Sequence, residues 1–254
     1  MALLEVKNLT KHFGGLTAVG DVTLELNEGE LVGLIGPNGA GKTTLFNLLT
    51  GVYEPSEGTV TLDGHLLNGK QPYKIAALGL GRTFQNIRLF KDLTVLDNVL
   101  IAFSNHHKQH VFASFLRLPA FYKNEKELKA KALELLNIFD LDGEAETLAK
   151  NLAYGQQRRL EIVRALATEP KILFLDEPAA GMNPQETAEL TELIRRIKDE
   201  FKITIMLIEH DMSLVMEVTE RIYVLEYGRL IAHGTPDEIK SNKRVIEAYL
   251  GGEA

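Results

Sequence analysis

A glycine-rich segment that also holds a lysine and a threonine carries the most specific chemistry of the chain. Residues 36–43 fit the pattern G-x-x-x-x-G-K-[ST] and lie between an apolar run at 31–35 and an apolar helical segment. Glycine lets the backbone curl so that successive N–H groups point at phosphate oxygens, while the lysine adds positive charge and the threonine hydroxyl can bind Mg²⁺. We therefore predict a site for nucleotide phosphates and Mg²⁺ formed by Gly36, Pro37, Asn38, Gly39, Ala40, Gly41, Lys42, Thr43 and Thr44.

Two adjacent carboxylates form the second chemical signal. Asp176 and Glu177 follow the apolar run at 172–175. An aspartate at the end of a buried strand is placed to hold Mg²⁺ or its waters, and the glutamate to orient or deprotonate a water in line with the γ-phosphorus. Two acids could also simply end a strand, but a phosphate loop in the same chain favours hydrolysis.

The phosphate loop alone is also compatible with GTPases, kinases and helicases. Guanine-binding proteins usually carry an N-K-x-D element. The nearest match begins at Asn242 and Lys243 and lacks the aspartate. The sequence therefore favours ATP over GTP.

Composition limits the classes of protein in which this chemistry could occur. The 254 residues carry a net charge of −7 and include no cysteine, which argues against a nucleic-acid surface and excludes disulfides. No apolar run approaches the roughly 18 residues that cross a bilayer, and Glu5 interrupts the apolar start, so we expect no secretory signal. We expect a cytosolic protein that reaches a membrane only through partners.

The surrounding pattern predicts strands and helices that would position these groups. Alternation at 22–26 and 59–63 is typical of antiparallel strands with one face buried, whereas the continuous apolar runs at 31–35, 171–175 and 203–208 predict strands covered on both faces. Helices are predicted at 44–50, with Gly51 following, and after Asn183-Pro184 and Thr235-Pro236; a hairpin is predicted around Tyr227-Gly228. Residues 92–146 read as a helical lobe, so we expect one domain with a core of 1–91 and 147–254.

Residues 152–160 read Leu-Ala-Tyr-Gly-Gln-Gln-Arg-Arg-Leu, and this segment resembles the signature loop of the ABC ATPase family, usually L-S-G-G-Q. The resemblance implies an α/β fold, a P-loop NTPase ABC cassette with a mixed core sheet, an antiparallel β subdomain and an inserted helical subdomain. It also implies that Ala153, Gly155 and Gln156 bind the γ-phosphate of ATP held by the opposite subunit of a head-to-tail dimer. Ala153 replaces the usual serine, and Tyr154 the usual glycine.

Other positions gain roles from the same resemblance. Gln85 matches the glutamine that contacts the Mg²⁺ and water site and the membrane subunit. His210 matches the switch histidine at the γ-phosphate, and Phe13 matches the aromatic that stacks on adenine. Asn183 stands where the family usually has an aspartate that contacts the other subunit.

Finer resemblance points to one transporter subgroup. The chain has one cassette and no sustained heptads, which disfavours soluble ABC proteins of translation and DNA repair. Several segments look like the larger ATPase of branched-chain amino acid importers; they are 11–16, 82–85, 151–162, 177–184, the insert at 104–124 and the ending at 248–251. ATPases of urea or amide uptake and of lipopolysaccharide export remain alternatives.

Membership of that subgroup implies a set of partners. They are a second, different ATPase, two membrane permease subunits and, indirectly, an external solute-binding protein, while a homodimer stays possible and no nucleic acid is expected. The implied location is the cytoplasmic face of the cell membrane, as a peripheral protein.

Overall fold

The computed structural model describes residues 2–103 and 119–250. Residues 104–118, which hold most of the predicted insert at 104–124, lie outside the described residues, as do 251–254. The chain divides into two compact units. The first comprises Met1–Arg82 and Lys171–Ala254, and the second comprises Thr83–Pro170.

Two sheets form the first unit. The strands of the smaller, antiparallel sheet are β1 (Ala2–Phe13), β2 (Leu16–Asn27), β4 (Glu57–Leu62) and β5 (His65–Leu66). Those of the larger sheet are β3 (Leu31–Ile35), β6 (Leu80–Arg82), β7 (Ile172–Asp176), β8 (Thr204–Ile208), β9 (Arg221–Glu226) and β10 (Arg229–Gly234). The smaller sheet has the order β2-β1-β4-β5, and the larger sheet has the order β10-β9-β3-β8-β7-β6.

The larger sheet is mixed because one hairpin ends it. Strands β6 to β9 and β3 run parallel, whereas β10 pairs with β9 antiparallel after the turn at Tyr227-Gly228. Every residue of β3, β7 and β8 is buried, which confirms that continuous apolar runs mark strands covered on both faces. The observed β7 and β8 each begin one residue later than predicted.

The smaller sheet buries one face, as the alternating pattern predicts. In β2 the side chains of Val22, Leu24 and Leu26 are buried, while Thr23 and Glu25 between them are exposed. The buried residues join a core cluster with Phe46 and Phe174, whose rings stack at 4.8 Å between centroids.

The helices of the first unit begin where local capping allows. They are α1 (Lys42–Leu49), α2 (Pro72–Ala77), α6 (Pro184–Phe201), α7 (Met212–Val218), α8 (Pro236–Ser241) and α9 (Lys243–Leu250). The side chains of Asn183 and Thr235 cap α6 and α8, which confirms the two predicted starts. The helix predicted at 44–50 instead begins at Lys42, because Gly41 takes a left-handed conformation directly before it.

The second unit is helical. It contains α3 (Val95–Phe103), α4 (Pro119–Ile138) and α5 (Tyr154–Leu166), with short 3₁₀ turns at Asp142–Glu144 and Ala149–Asn151. Helix α5 packs on both α3 and α4. The unit therefore contains the lobe predicted at 92–146 together with the segment around Gln85 and the helix after Ala153. Within the described ranges, no helix combines the length and apolarity of a membrane span.

Candidate nucleotide-binding and hydrolysis site

The predicted phosphate loop connects the end of β3 to the start of α1. Its backbone passes so close to neighbouring chain that side chains are excluded at two positions. A Cβ at Gly36 would lie 2.1 Å from the carbonyl oxygen of Leu225, and Gly41, with φ +98°, would meet the carbonyl oxygen of Ala18 at 2.6 Å. The N–H of Gly228 donates to the carbonyl of Ala40 at 2.8 Å. The β9–β10 hairpin therefore contacts the backbone of the loop through Leu225 and Gly228.

Lys42 lies at the centre of the curled loop. Its ammonium group donates to the carbonyl oxygens of Gly36 at 2.7 Å and Pro37 at 3.1 Å, and the side chain is buried. Burial lowers the pKa of Lys42, and the negative charge of Glu177 acts in the opposite direction. A phosphate group in the loop would gain a positive partner that is already desolvated. Thr43, on the first turn of α1, is exposed.

Glu177 and His210 face each other although 33 residues separate them in the chain. The carboxylate Oε1 of Glu177 lies 2.7 Å from Nε2 of His210. Glu177 has a left-handed backbone with φ 49°, an uncommon conformation for a residue with a side chain, and its N–H donates to the carbonyl of Ile208 at 2.9 Å. Because β7 and β8 are adjacent parallel strands, residues that follow their carboxyl ends meet at one edge of the sheet.

Asp176 is held by a residue that the sequence analysis did not single out. Its carboxylate is buried and pairs with the guanidinium of Arg82 at 3.2 Å. Arg82 also donates to Oδ1 of Asn47 at 2.8 Å and Oγ1 of Thr50 at 2.7 Å. Arg82 ends β6, next to β7 in the sheet, so only the strand order brings it to Asp176.

Glu209 is a second residue that sequence reasoning missed. It is buried directly after β8, and its carboxylate accepts from the backbone N–H of Ala179 at 2.7 Å and of His210 at 3.1 Å. Burial raises the pKa of Glu209, and these backbone hydrogen bonds oppose that shift. The carboxylate thus ties the segment after Glu177 to the segment that carries His210. An acid directly after the apolar run at 203–208 was the available signal.

Phe13 ends β1 with its ring 43% exposed. The edge of the ring meets Tyr53 at 5.3 Å between centroids, and the ammonium of Lys11 lies 5.2 Å from its centre. An exposed ring supported in this way offers a face on which a planar base could stack.

Gln85 belongs to the second unit and is exposed there. Its backbone is anchored to α5, because the buried guanidinium of Arg158 donates to the carbonyl oxygens of Phe84 at 2.8 Å and of Gln85. Glu161 pairs with Arg158 at 3.2 Å and accepts from the N–H of Phe84 at 3.3 Å. Burial raises the pKa of Glu161, while Arg158 and the backbone donors act against that shift.

The predicted signature loop forms the start of α5. Ala153 occupies the N-cap position without a side-chain cap, and its own N–H donates to Oε1 of Gln156 at 3.1 Å. Gly155 is buried, whereas the ring of Tyr154 is 46% exposed. The start of the helix keeps its positive end, but it lacks the hydroxyl that serine would supply.

The structure therefore places the candidate residues in two groups. Phe13, the phosphate loop with Thr43 and Thr44, Asp176, Glu177 and His210 belong to the first unit, and Gln85, Ala153, Gly155 and Gln156 belong to the second. Within the first unit, His210 contacts Glu177 at 2.7 Å, and the negative charge of Glu177 acts on the pKa of Lys42. The catalytic, nucleotide and metal roles assigned to these residues remain predictions.

Comparison with known proteins identifies the family. Residues 19–180 match the family model described as ABC transporter. The chain belongs to this ABC transporter family. A second model, described as branched-chain amino acid ATP-binding cassette transporter, matches residues 229–254.

Individual relatives of this ABC ATPase support the same assignment. The high-affinity branched-chain amino acid transport ATP-binding protein LivG of Salmonella typhimurium is 52% identical over 98% of each chain. The lipopolysaccharide export system ATP-binding protein LptB of Escherichia coli is 34% identical over 99% of this chain and 98% of its own. The ADP conformation of MJ1267, an ATP-binding cassette of an ABC transporter, superposes with a TM-score of 0.85 at 32% identity and covers 99% of both chains.

The predicted fold class is thereby confirmed. The mixed sheet, antiparallel sheet and helical unit are those of an ABC ATP-binding cassette, as the sequence resemblance implies. The chain is an ATPase subunit of a transporter.

Proposed function

We propose that this ATPase powers the uptake of branched-chain amino acids through membrane permeases, at the cytoplasmic face of the membrane. The observation that carries the proposal is the 52% identity to LivG over nearly the whole of both chains. Identity to the lipopolysaccharide-export relative is 34% over a similar length. The match of residues 229–254 to the branched-chain amino acid model supports the same choice.

The geometry supports a separate role for each of these residues around the γ-phosphate. Backbone N–H groups of the loop and Lys42 bind the phosphates, and Phe13 stacks on adenine. Glu177 orients or deprotonates the attacking water, with His210 at 2.7 Å to hold the carboxylate and to contact the γ-phosphate. Glu209 holds both segments through the bonds that it accepts from Ala179 and His210.

The donor set fits Mg²⁺. Thr43 offers a hydroxyl and Asp176 a carboxylate, both within the first unit. Mg²⁺ favours oxygen donors and takes most of its remaining ligands from water and phosphate. When bound, the ion neutralises charge that develops on the β- and γ-phosphate oxygens. Arg82 orients the Asp176 carboxylate through the ion pair at 3.2 Å.

The signature loop supports a composite site with a second, different ATPase. Its start lacks the serine hydroxyl, and Asn183 uses its amide oxygen to accept from the N–H of Glu186 at 3.0 Å. Both departures fall at positions that in the family meet the opposite subunit. A partner ATPase with the usual serine would supply a complete loop to the ATP held here, so a heterodimer retains one complete site.

Affinity purification from detergent-solubilised membranes tests the assembly. We expect two multi-spanning proteins and a second ATPase to elute with the tagged chain, as identified by mass spectrometry. A complex with only one type of ATPase contradicts the heterodimer and favours a homodimeric motor. Recovery without any membrane protein contradicts the transport proposal itself.

Uptake by whole cells tests the substrate. Cells in which the chain is replaced by its Glu177→Gln variant should lose high-affinity accumulation of labelled leucine. The matched control is Glu28→Gln, which makes the same chemical change at an exposed turn between β2 and β3. Retained leucine uptake together with lost urea or amide uptake would contradict the assignment to branched-chain amino acids.

A further inference from the structure

The chain segments that carry Glu177 and His210 leave the sheet just before these two residues. The pairing of β7 with β8 ends at Asp176 and Ile208, and one further backbone bond joins the N–H of Glu177 to the carbonyl of Ile208 at 2.9 Å. Beyond this bond, strand pairing no longer sets the distance between the two segments. The position of the Glu177 carboxylate relative to His210 therefore depends on contacts made after the strands end.

Glu209 supplies such contacts from the position directly before His210. Its two carboxylate oxygens accept from different segments: Oε1 accepts from the N–H of Ala179 at 2.7 Å, and Oε2 accepts from the N–H of His210 at 3.1 Å. Ala179 lies two residues after Glu177. One carboxylate therefore bridges both segments at the point where the backbone bonds between β7 and β8 have ended.

Burial strengthens the bridge that Glu209 forms. The residue is 4% exposed, so bulk water competes little for its oxygens. A buried carboxylate is costly unless its oxygens accept hydrogen bonds, and bonds to a charged acceptor are stronger than neutral ones. The contact between Nε2 of His210 and Oε1 of Glu177 at 2.7 Å completes a ring of contacts through Glu177, Ala179, Glu209 and His210.

We propose that Glu209 is a positioning residue for hydrolysis, whose carboxylate sets the distance between Glu177 and His210. The inference rests on the proposed roles of these two residues at the γ-phosphate. Loss of the bridge leaves the phosphate loop in place, because Lys42 and the β9–β10 hairpin hold that loop through other contacts. ATP then binds as before, while the water and the γ-phosphate lose correctly placed partners.

Steady-state ATP hydrolysis by the assembled transporter, combined with binding of the analogue AMP-PNP, tests this role. Glu209→Ala removes both bonds, and kcat should fall about tenfold because small displacements of reacting groups cost much of the rate. Glu209→Gln keeps one oxygen as an acceptor but replaces the other by an NH₂ group that faces a backbone N–H, so we expect an intermediate loss of about threefold. In both variants, KM for ATP and the Kd of AMP-PNP should change less than about twofold.

The matched control lies at the other end of β8. Thr204 is fully buried, and its hydroxyl accepts from the N–H of Gly29 at 2.9 Å and donates to the carbonyl of Asn27 at 3.1 Å. Thr204→Val removes two bonds of a buried side chain, as Glu209→Ala does, and should lower the melting temperature while kcat is retained. An equal loss of kcat in Thr204→Val would mean that kcat follows stability, and it would overturn the proposal.

A double-mutant cycle with His210 separates positioning from general damage to the fold. If Glu209 acts through the contact between Glu177 and His210, Glu209→Ala should lower kcat by less than about twofold once His210→Ala has removed that contact. A full tenfold loss in the His210→Ala background, or an unchanged kcat in Glu209→Ala alone, overturns the proposal. Normal turnover in Glu177→Gln would instead contradict the proposed function on which the inference rests.

Discussion

The phosphate loop and the signature loop both lead into the N-terminus of a helix, yet they differ in the contacts that hold them. Lys42 donates to two carbonyl groups of the phosphate loop, and Leu225 and Gly228 lie against its backbone. The start of α5 has an alanine as its N-cap and an exposed tyrosine next to it.

The contrast shows which interactions this chain provides for itself. A loop that binds phosphate without help from a partner subunit needs hydrogen-bond donors that already point at the phosphate position. If these donors were ordered only on binding, the loss of conformational freedom would weaken the affinity. In the proposed composite site, the signature loop would instead meet ATP held by another subunit. Within the second unit, Arg158 of α5 holds the backbone of the segment that carries Gln85.

The largest expected effect is on hydrolysis in the first unit. Glu177→Gln should lower kcat at least about 100-fold, because the amide cannot act as a base toward water. ATP binding should persist and leave a trapped dimer with the partner subunit, measured by size-exclusion chromatography with ATP. Turnover within a few-fold of the unmodified transporter would remove Glu177 from this role, and Glu28→Gln serves as the control.

Removal of Arg82 tests how the first unit holds its acid. Arg82→Ala should lower the free energy of unfolding by about 3 kcal/mol, because it removes the positive charge that pairs with the buried carboxylate of Asp176. Denaturant titration measures the loss. Arg196→Ala breaks an ion pair with Glu200 in which the arginine is 50% exposed, and it should cost less than about 0.5 kcal/mol. Equal losses in the two variants would mean that the buried ion pair contributes no more to the free energy of unfolding than the exposed one.

Lys42 tests the phosphate loop directly. Lys42→Ala should weaken ATP binding about 10- to 100-fold, because a charge-assisted contact with phosphate is lost along with the bonds that hold Gly36 and Pro37. Equilibrium binding of labelled ATP measures the change. The exposed Lys240 provides the matched alanine control. Unaltered affinity in Lys42→Ala would contradict the placement of phosphates in this loop.

The caps of helices α5 and α7 differ in a way that makes stability depend on pH. Asp211 caps α7 by accepting from the N–H groups of Ser213 and Leu214, whereas α5 has no side-chain cap. Bonds to Ser213, chiefly from its side chain, lower the pKa of Asp211. A carboxyl with a lowered folded pKa stabilises the protein above its ordinary pKa of about 3.9, and this contribution disappears as pH falls through the folded value.

Asp211→Ala should therefore cost about 1 kcal/mol of unfolding free energy at pH 7. The difference from the unmodified protein should shrink at pH 3, as measured by urea denaturation at both values. A difference that grows as pH falls would have the wrong sign for this mechanism.

The smallest expected change concerns Ala153. Ala153→Ser adds a hydroxyl at the start of α5, which should stabilise the helix by less than about 1 kcal/mol and raise ATPase activity of the assembled transporter less than tenfold. Steady-state phosphate release measures the second effect. No change in activity would mean that the backbone at this loop already suffices, and that the partner subunit does not depend on the missing hydroxyl.

Local sequence was enough to predict the strands and helices that frame the site. Continuous burial of 31–35 and the caps at Asn183 and Thr235 followed from composition and periodicity, because these features depend on neighbours in the chain. The roles of Gln85, His210 and Phe13 came from family resemblance, since a single glutamine, histidine or phenylalanine has no distinctive pattern.

Sequence alone determined the chemistry available to this protein: a loop of glycines around Lys42, an Asp–Glu pair after a strand, and a helix start that lacks the usual serine. Only the tertiary structure decided which distant groups support them. Arg82 meets Asp176 because β6 lies beside β7, Glu177 meets His210 because β7 lies beside β8, and Leu225 meets Gly36 because β9 lies beside β3. The physical reason is that such contacts depend on strand order and packing, which connect residues tens to hundreds of positions apart.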